Sequence, residues 1–176
     1  HASDPACSSD SKTLFFTAEE DGRSPLFAVP AAGGPVKRIL EGGTFGDPRV
    51  AGRHLVFTKV ALTHPAEIYR AGQDGAGLTA LTKTNDAFLA GFGLRAAESV
   101  RYAGAAGKSV QAWIVKPAAF DPAKKYPLLV LIHGGPQGAW LDAWSTRWNY
   151  QMFATGGYGL VVLNPTGSTG YGQKLT

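Results

Sequence analysis

The run Lys12-Thr13-Leu14-Phe15-Phe16-Thr17 returns 41 positions later as Arg53-His54-Leu55-Val56-Phe57-Thr58. Pro25-Leu26-Phe27-Ala28-Val29 is answered 42 positions on by Glu67-Ile68-Tyr69-Arg70-Ala71. Self-similarity at a fixed spacing of this length marks a repeat architecture. In each copy the second run leads to a glycine turn, Gly33-Gly34 or Asp74-Gly75, and then to a short apolar run ending in Ile39-Leu40 or Ala80-Leu81. Aromatic and β-branched residues that alternate between Gly, Pro and Asp mark half-buried strands joined by hairpins. Several strands in each ~40–45-residue unit is the pattern of a β-propeller blade. Two copies are visible, over 6–45 and 47–85. Propellers close with ~4–8 blades, so two copies do not complete a ring.

From Asn85 the pattern changes. Ser99–Ala103 and Val110–Val115 read as a hairpin turning over Gly104–Lys108. Leu128-Leu129-Val130-Leu131-Ile132 is a continuous apolar run, as expected of a strand covered on both faces. Trp140, Trp144 and Trp148 recur every four residues, with Leu141 and Met152 adding to the same apolar side, and this spacing predicts one face of a helix. Gly156-Gly157 gives that helix its stop, and Leu160–Leu163 is a second buried strand. Strand, helix and strand in this order make a βαβ-like unit with parallel strands.

Composition excludes several classes. The 176 residues are 44% hydrophobic with a net charge of only +4, which argues against disorder. Lys and Arg are scattered, with no run longer than the pairs Lys37-Arg38 and Lys124-Lys125, so no nucleic-acid footprint is visible. No apolar run approaches the ~20 residues of a membrane helix. The start, His1-Ala-Ser-Asp-Pro, shows no basic segment leading into an apolar one, so no signal peptide is read there. Cys7 is the only cysteine, which rules out an internal disulfide and a Cys-rich metal site.

Chemistry concentrates in His133-Gly134-Gly135-Pro136, directly after the apolar run. A buried strand ending in His-Gly-Gly suits an oxyanion loop, in which a backbone N–H helps to hold the negative oxygen of a tetrahedral intermediate. Glycine suits the task because no Cβ obstructs a substrate carbonyl. On these four residues alone, a plain strand-to-helix turn is an equal alternative.

The stretch from Val110 to Lys174 resembles the start of the catalytic domain in the prolyl oligopeptidase family of serine peptidases, in particular its dipeptidyl-peptidase V and acylaminoacyl-peptidase branch. The resemblance rests on Trp113-Ile-Val-Lys-Pro117, Tyr126–Pro136, Trp144-Ser-Thr-Arg-Trp148 and Asn164-Pro-Thr-Gly-Ser-Thr-Gly-Tyr-Gly172. The upstream repeats are similar to the last blades of the propeller that caps such enzymes, so the resemblance covers nearly the whole chain. It implies a Ser-Asp-His triad with the serine in a Gly-x-Ser-x-Gly elbow, and that elbow is absent here. Thr166-Gly167-Ser168-Thr169-Gly170 imitates it with threonine in place of the first glycine, and Ser168 is read as part of a structural loop. His1, His54 and His64 lie away from the motif, the latter two as surface or packing residues, and His133 is expected to orient its loop by hydrogen bonding. Glu19-Glu20 is similar to the glutamate pair that anchors a substrate amino terminus in some dipeptidyl peptidases, but Glu-Glu-Asp-Gly after a strand reads as a hairpin turn. Thr166 stands where many relatives carry arginine. Cys7 falls where related blades often have tryptophan, and packing is its expected role.

These readings combine into a mixed β and α/β fold: about two C-terminal propeller blades over 1–85, then the N-terminal part of an α/β-hydrolase sheet over 86–176. The expected parent is a serine peptidase that removes dipeptides or acylated residues from the N-terminus of short peptides through an acyl-enzyme. An esterase and a non-catalytic interaction module are the alternatives. Gly135, with Gly134, would supply the oxyanion donors. The triad would lie outside this chain, which is expected to be an inactive internal fragment. No cofactor or metal is expected. Expected partners are short peptides and either a second copy of the chain or a complementary C-terminal segment, with neither nucleic acid nor membrane. The compartment stays open, the family resemblance slightly favouring a periplasmic one.

Overall fold

The computed structural model describes residues 2–135 and 137–176. Its first sheet is an antiparallel meander of β1 (Ala2–Cys7), β2 (Thr13–Ala18), β3 (Leu26–Pro30) and β4 (Lys37–Leu40). The second repeats that order with β5 (Thr44–Ala51), β6 (His54–Ala61), β7 (His64–Gly72) and β8 (Thr79–Ala80). The two repeated sequence runs fall on β2 and β6, and on β3 and β7. Strand alternation sends Phe15 and Thr17 inward while Leu14 faces solvent. On the other face of β2, Phe16 stacks on its cross-strand partner Phe27 at 5.5 Å.

Each repeat begins earlier than expected, at Ala2 and Thr44, because its first strand carries a bulge that breaks the alternation. Both bulges sit at an Asp-Pro pair. Asp4 has φ 52° beside the register shift between Ser3 and Ala6, and Asp47 has φ 50° within the shift between Gly46 and Arg49. Aspartate tolerates this left-handed conformation, and proline, lacking an N–H, is accommodated where the ladder is already interrupted. The two sheets share one core of Phe15, Leu26, Leu40, Phe45, Leu55, Phe57 and Ala71, with Phe45 edge-on to Phe57 at 5.5 Å.

After a short helix, α1 (Asp86–Leu89), the chain forms a third, mixed sheet. The predicted hairpin is β9 (Glu98–Ala103) with β10 (Ser109–Val115). Next come β11 (Leu128–Ile132), helix α2 (Tyr150–Thr155) and β12 (Gly159–Asn164). β12 lies parallel to β11 and antiparallel to β10, giving the order β11-β12-β10-β9. Trp113, Val115, Tyr150, Ala154, Leu160 and Val162 form its core.

Three expectations need correction. Residues 139–149 form no helix, so the tryptophan spacing does not define a helical face. The N–H of Trp140 is taken by the Asn164 side chain at 2.7 Å and that of Asp142 by the Gly22 carbonyl at 2.7 Å, so neither can close a helical turn. Of the described residues between β11 and β12 only Tyr150–Thr155 is helical, capped by Asn149, whose Oδ1 accepts the Gln151 N–H at 2.9 Å, and ending at Gly156-Gly157 as predicted. Met152 is consequently exposed. Second, β11 is not covered on both faces. It is an edge strand among the described residues, and while Leu129 and Leu131 pack inward, Leu128, Val130 and Ile132 are exposed. Third, Cys7 is exposed rather than packed.

Asp142 ties both antiparallel sheets to the mixed one. Its N–H donates to Gly22, its carbonyl accepts from Thr44 Oγ1 at 2.9 Å, its Oδ1 accepts the Leu62 N–H at 2.9 Å, and its Oδ2 lies 3.4 Å from Arg23 Nε. Leu62, from the turn between β6 and β7, is buried in the mixed sheet's core. Arg23 lies over the Trp113 ring at 4.8 Å. No helix among the described residues is long and apolar enough to cross a membrane.

Candidate functional site

Ile132 ends β11, and the chain leaves the carboxyl end of this parallel strand through His133, Gly134 and Gly135. Gly134 and Gly135 are both exposed. Gly135 has φ 155°, and a Cβ there would stand 2.8 Å from the backbone nitrogen of Gln137. Only glycine fits this turn without moving the chain that follows. Pro136 lies outside the described residues.

The loop after β12 holds this turn from behind. Ser168 bridges in parallel to Gly138, and the Thr169 N–H donates to the Gly138 carbonyl at 2.9 Å. His133 Nε2 stands 2.7 Å from Ser168 Oγ, while Nδ1 faces the Gly134 carbonyl at 3.0 Å. A carbonyl only accepts, so Nδ1 carries the proton in that contact, and in neutral His133 Nε2 accepts from the Ser168 hydroxyl. Ser168 Oγ is also 2.7 Å from the Pro165 carbonyl, and its single proton serves one of these two acceptors at a time. Ser168 is fully buried, so its hydroxyl is beyond the reach of a substrate.

Beneath the loop lies a buried amide network. Asn164, fully buried at the end of β12, accepts the Trp140 N–H through Oδ1, and its two Nδ2 hydrogens are shared among three acceptors within reach, the Trp140 carbonyl, Gln111 Oε1 and the Tyr171 hydroxyl. The Tyr171 hydroxyl in turn donates to Gln111 Oε1 at 2.7 Å. Burial pushes the Tyr171 phenol well above its ordinary range, opposed by the Asn164 hydrogen bond, so it stays a neutral donor. Tyr150 is raised likewise by burial.

The remaining sequence candidates are dispersed. Glu20 and Arg23 exchange backbone hydrogen bonds at 2.9 and 3.0 Å, making the predicted turn, and the Glu20 carboxylate pairs with Arg38 at 2.5 Å. The Glu19 carboxylate accepts instead from the hydroxyl of Thr169. A cavity of about 770 Å³ opens beside this contact, lined in part by Asp21, Phe27, Arg101 and Tyr171, and Gly134 and Gly135 do not border it. His54 lies half-buried in β6, and His64 in β7 binds Asp86 at 2.8 Å. Trp140 packs in the mixed sheet's core, whereas Trp148 is exposed. Among the described residues no group of three or more His, Cys, Asp or Glu is placed to hold a metal ion. Asn164 and Asp142 were missed as organising residues. An amide at the end of an apolar strand, just before proline, was the available signal for the first.

No family model matches the chain. Individual relatives do. The chain is 42% identical over 173 residues to a probable dipeptidyl-peptidase 5 of Aspergillus clavatus, covering 95% of this chain and 24% of that protein. It is 40% identical over 164 residues to dipeptidyl-peptidase 5 of Schizosaccharomyces pombe, covering 93% of this chain and 23% of that one. Among solved structures, acylaminoacyl peptidase of Pyrococcus horikoshii superposes with a TM-score of 0.79 at 27% identity, over 93% of this chain and 25% of the other. The chain thus spans about a quarter of the length of the relatives it matches. In both sequence and fold the chain is similar to one part of these peptidases.

Proposed function

We propose that residues 1–85 are blades of a β-propeller and residues 86–176 the beginning of an α/β-hydrolase domain, within a serine peptidase that releases dipeptides or acylated residues from the N-terminus of short peptides. One observation carries the chemical part of this reading: the exposed Gly134-Gly135 turn at the carboxyl end of β11, the third strand of its sheet in chain order. That is where an α/β-hydrolase places the loop donor of its oxyanion hole. A serine outside this chain would attack the scissile carbonyl carbon, and the carbonyl oxygen would take up negative charge facing the Gly135 N–H, with Gly134 beside it. Collapse breaks the C–N bond, the amine leaves with the serine proton, and water then hydrolyses the acyl-enzyme. Preorganised backbone donors stabilise the charge without reorientation during reaction.

A fluorophosphonate probe tests this assignment. The 176-residue chain should remain unlabelled, while the full-length protein takes up one probe per subunit. Stoichiometric labelling of the short chain, at Ser168 or elsewhere, would refute it. Faster turnover of dipeptide amides than of simple acyl esters by the full-length protein separates a peptidase from an esterase.

The exposed row Leu128, Val130 and Ile132 on edge strand β11 favours a second proposal, that the isolated chain associates with a copy of itself or with a complementary C-terminal segment. Light scattering showing a monodisperse monomer would count against it.

A further inference from the structure

The turn after β2 reaches across to the loop that holds Gly134 and Gly135. Thr169 is buried, and among the described residues its hydroxyl has one partner, the Glu19 carboxylate, 150 positions away in sequence. Backbone contacts reinforce the pairing. The Asp21 N–H donates to the Gly170 carbonyl at 3.0 Å, and Gly170, at φ 85°, lies so close that a Cβ would stand 3.2 Å from the Glu19 carbonyl carbon. On its other side the same short segment, Ser168-Thr169, is bonded to Gly138 and to His133. The segment is therefore sandwiched, with Glu19 on one side and the glycine turn on the other.

We propose that Glu19 is a positioning residue for the oxyanion loop: its carboxylate fixes Thr169, and Thr169 with Ser168 fixes where the Gly134 and Gly135 amides stand. This rests on the reading of that turn as an oxyanion loop. Glu19 touches no reacting atom. A carboxylate accepting from a buried hydroxyl makes a strong, directional bond, and its loss leaves the hydroxyl unpaired. Relaxation of Thr169 is passed directly to Gly138, since the bond between them is made by the Thr169 backbone. A small displacement is enough, because donors displaced by about 1 Å can lower turnover about a hundredfold. Glu20, one residue on, pairs with Arg38 inside the first sheet and has no such route.

The test uses the full-length enzyme and a dipeptide amide substrate. Glu19→Ala should lower kcat about tenfold and change KM by less than about twofold, with its melting temperature checked. Glu19→Gln, which keeps an acceptor oxygen, should recover most of that loss. Thr169→Val removes the same bond from the other side and should match Glu19→Ala, and the double variant should be no worse than either single one. Hydrogen exchange over residues 133–138 should quicken in Glu19→Ala, and Glu20→Ala should behave as the parent. Unchanged kcat in both Glu19→Ala and Thr169→Val, or losses that simply add in the double variant, overturns the proposal whatever the exchange shows. A Gly135→Val control separates the two levels. If it abolishes turnover while Glu19→Ala does not, only the role of Glu19 falls. If it leaves turnover intact, the oxyanion reading falls and this inference with it.

Discussion

Asn164 holds both polar groups of the Trp140 backbone: its Oδ1 accepts the N–H at 2.7 Å and its Nδ2 donates to the carbonyl at 3.0 Å. The last residue of β12 thereby does for Trp140 what a neighbouring strand would do, in a place where none runs among the described residues. The same amide group reaches Gln111 in β10 and Tyr171 in the following loop, so one fully buried side chain joins two strands and two loops.

Substituting Asn164 should therefore be severe. Asn164→Ala strands the Trp140 N–H and removes a donor from Gln111 and Tyr171, each in a buried setting. Buried groups left unpaired cost about 1–3 kcal/mol apiece, so an overall loss of about 3–5 kcal/mol is expected from urea unfolding. Asn164→Asp keeps the acceptor for Trp140 but buries a charge against the Gln111 acceptor, and should be no better tolerated.

Trp113 supplies a second expectation. It is fully buried, donates its indole N–H to the Trp140 carbonyl at 2.9 Å, lies beneath Arg23 and approaches Gly22 so closely that a Cβ there would sit 2.7 Å from the ring. Trp113→Ala should lose about 3–5 kcal/mol through the cavity it opens. Trp113→Phe keeps most of the ring and should lose less than half as much, as read from denaturant midpoints at constant m-value.

How far the sequence showed all this depended on whether a feature had a local cause. Strands β2, β3, β6 and β7 are visible because alternation is local, the β9–β10 hairpin because its turn is, and β11 and β12 because each is an unbroken apolar run. Asp4-Pro5 and Asp47-Pro48 are also local, recurring 43 positions apart, and were passed over because a bulge interrupts the alternation that strands are found by. The tryptophan spacing misled. Its period is helical, yet Asn164 and Gly22 claim the N–H groups a helix would need. Glu19 presents the opposite case. Its turn was legible, but nothing near it in sequence announces Thr169. In the glycine turn, His133-Gly134-Gly135 marked the place, while the support given by Ser168 depended on a partner 35 positions away.

His64 makes stability depend on pH. Nδ1 faces the Pro65 carbonyl at 2.8 Å and Nε2 faces Asp86 at 2.8 Å, two oxygens that only accept, so this geometry suits the doubly protonated ring. Partial burial works against the charge, but the hydrogen bonds to Pro65 and Asp86 and the nearby charge of Glu67 outweigh it, and the imidazole is raised above its ordinary value. A raised folded value means that the stabilisation is complete below the unfolded value of about 6.5 and is lost as pH rises through the folded one. With Asp86 largely in solvent, the contribution should stay below about 1 kcal/mol. Urea midpoints should fall slightly from pH 6 towards pH 8, and Asp86→Asn should flatten that slope.

Gly135 is where side-chain size meets the proposed chemistry. With φ 155° and the Gln137 backbone 2.8 Å from any added Cβ, Gly135→Ala must move the chain just beyond the turn. The turn is exposed, so little packing is lost, and the melting temperature of the full-length enzyme should drop by only a few degrees. Its kcat should fall about 10²–10³-fold, as when one oxyanion donor is removed, while KM changes little because the ground-state carbonyl relies on that donor less. Stopped-flow acylation with a chromogenic dipeptide ester would locate the loss, since a donor to the tetrahedral oxygen must slow acyl-enzyme formation itself. Wild-type acylation in a folded Gly135→Ala enzyme would remove the turn from the reaction.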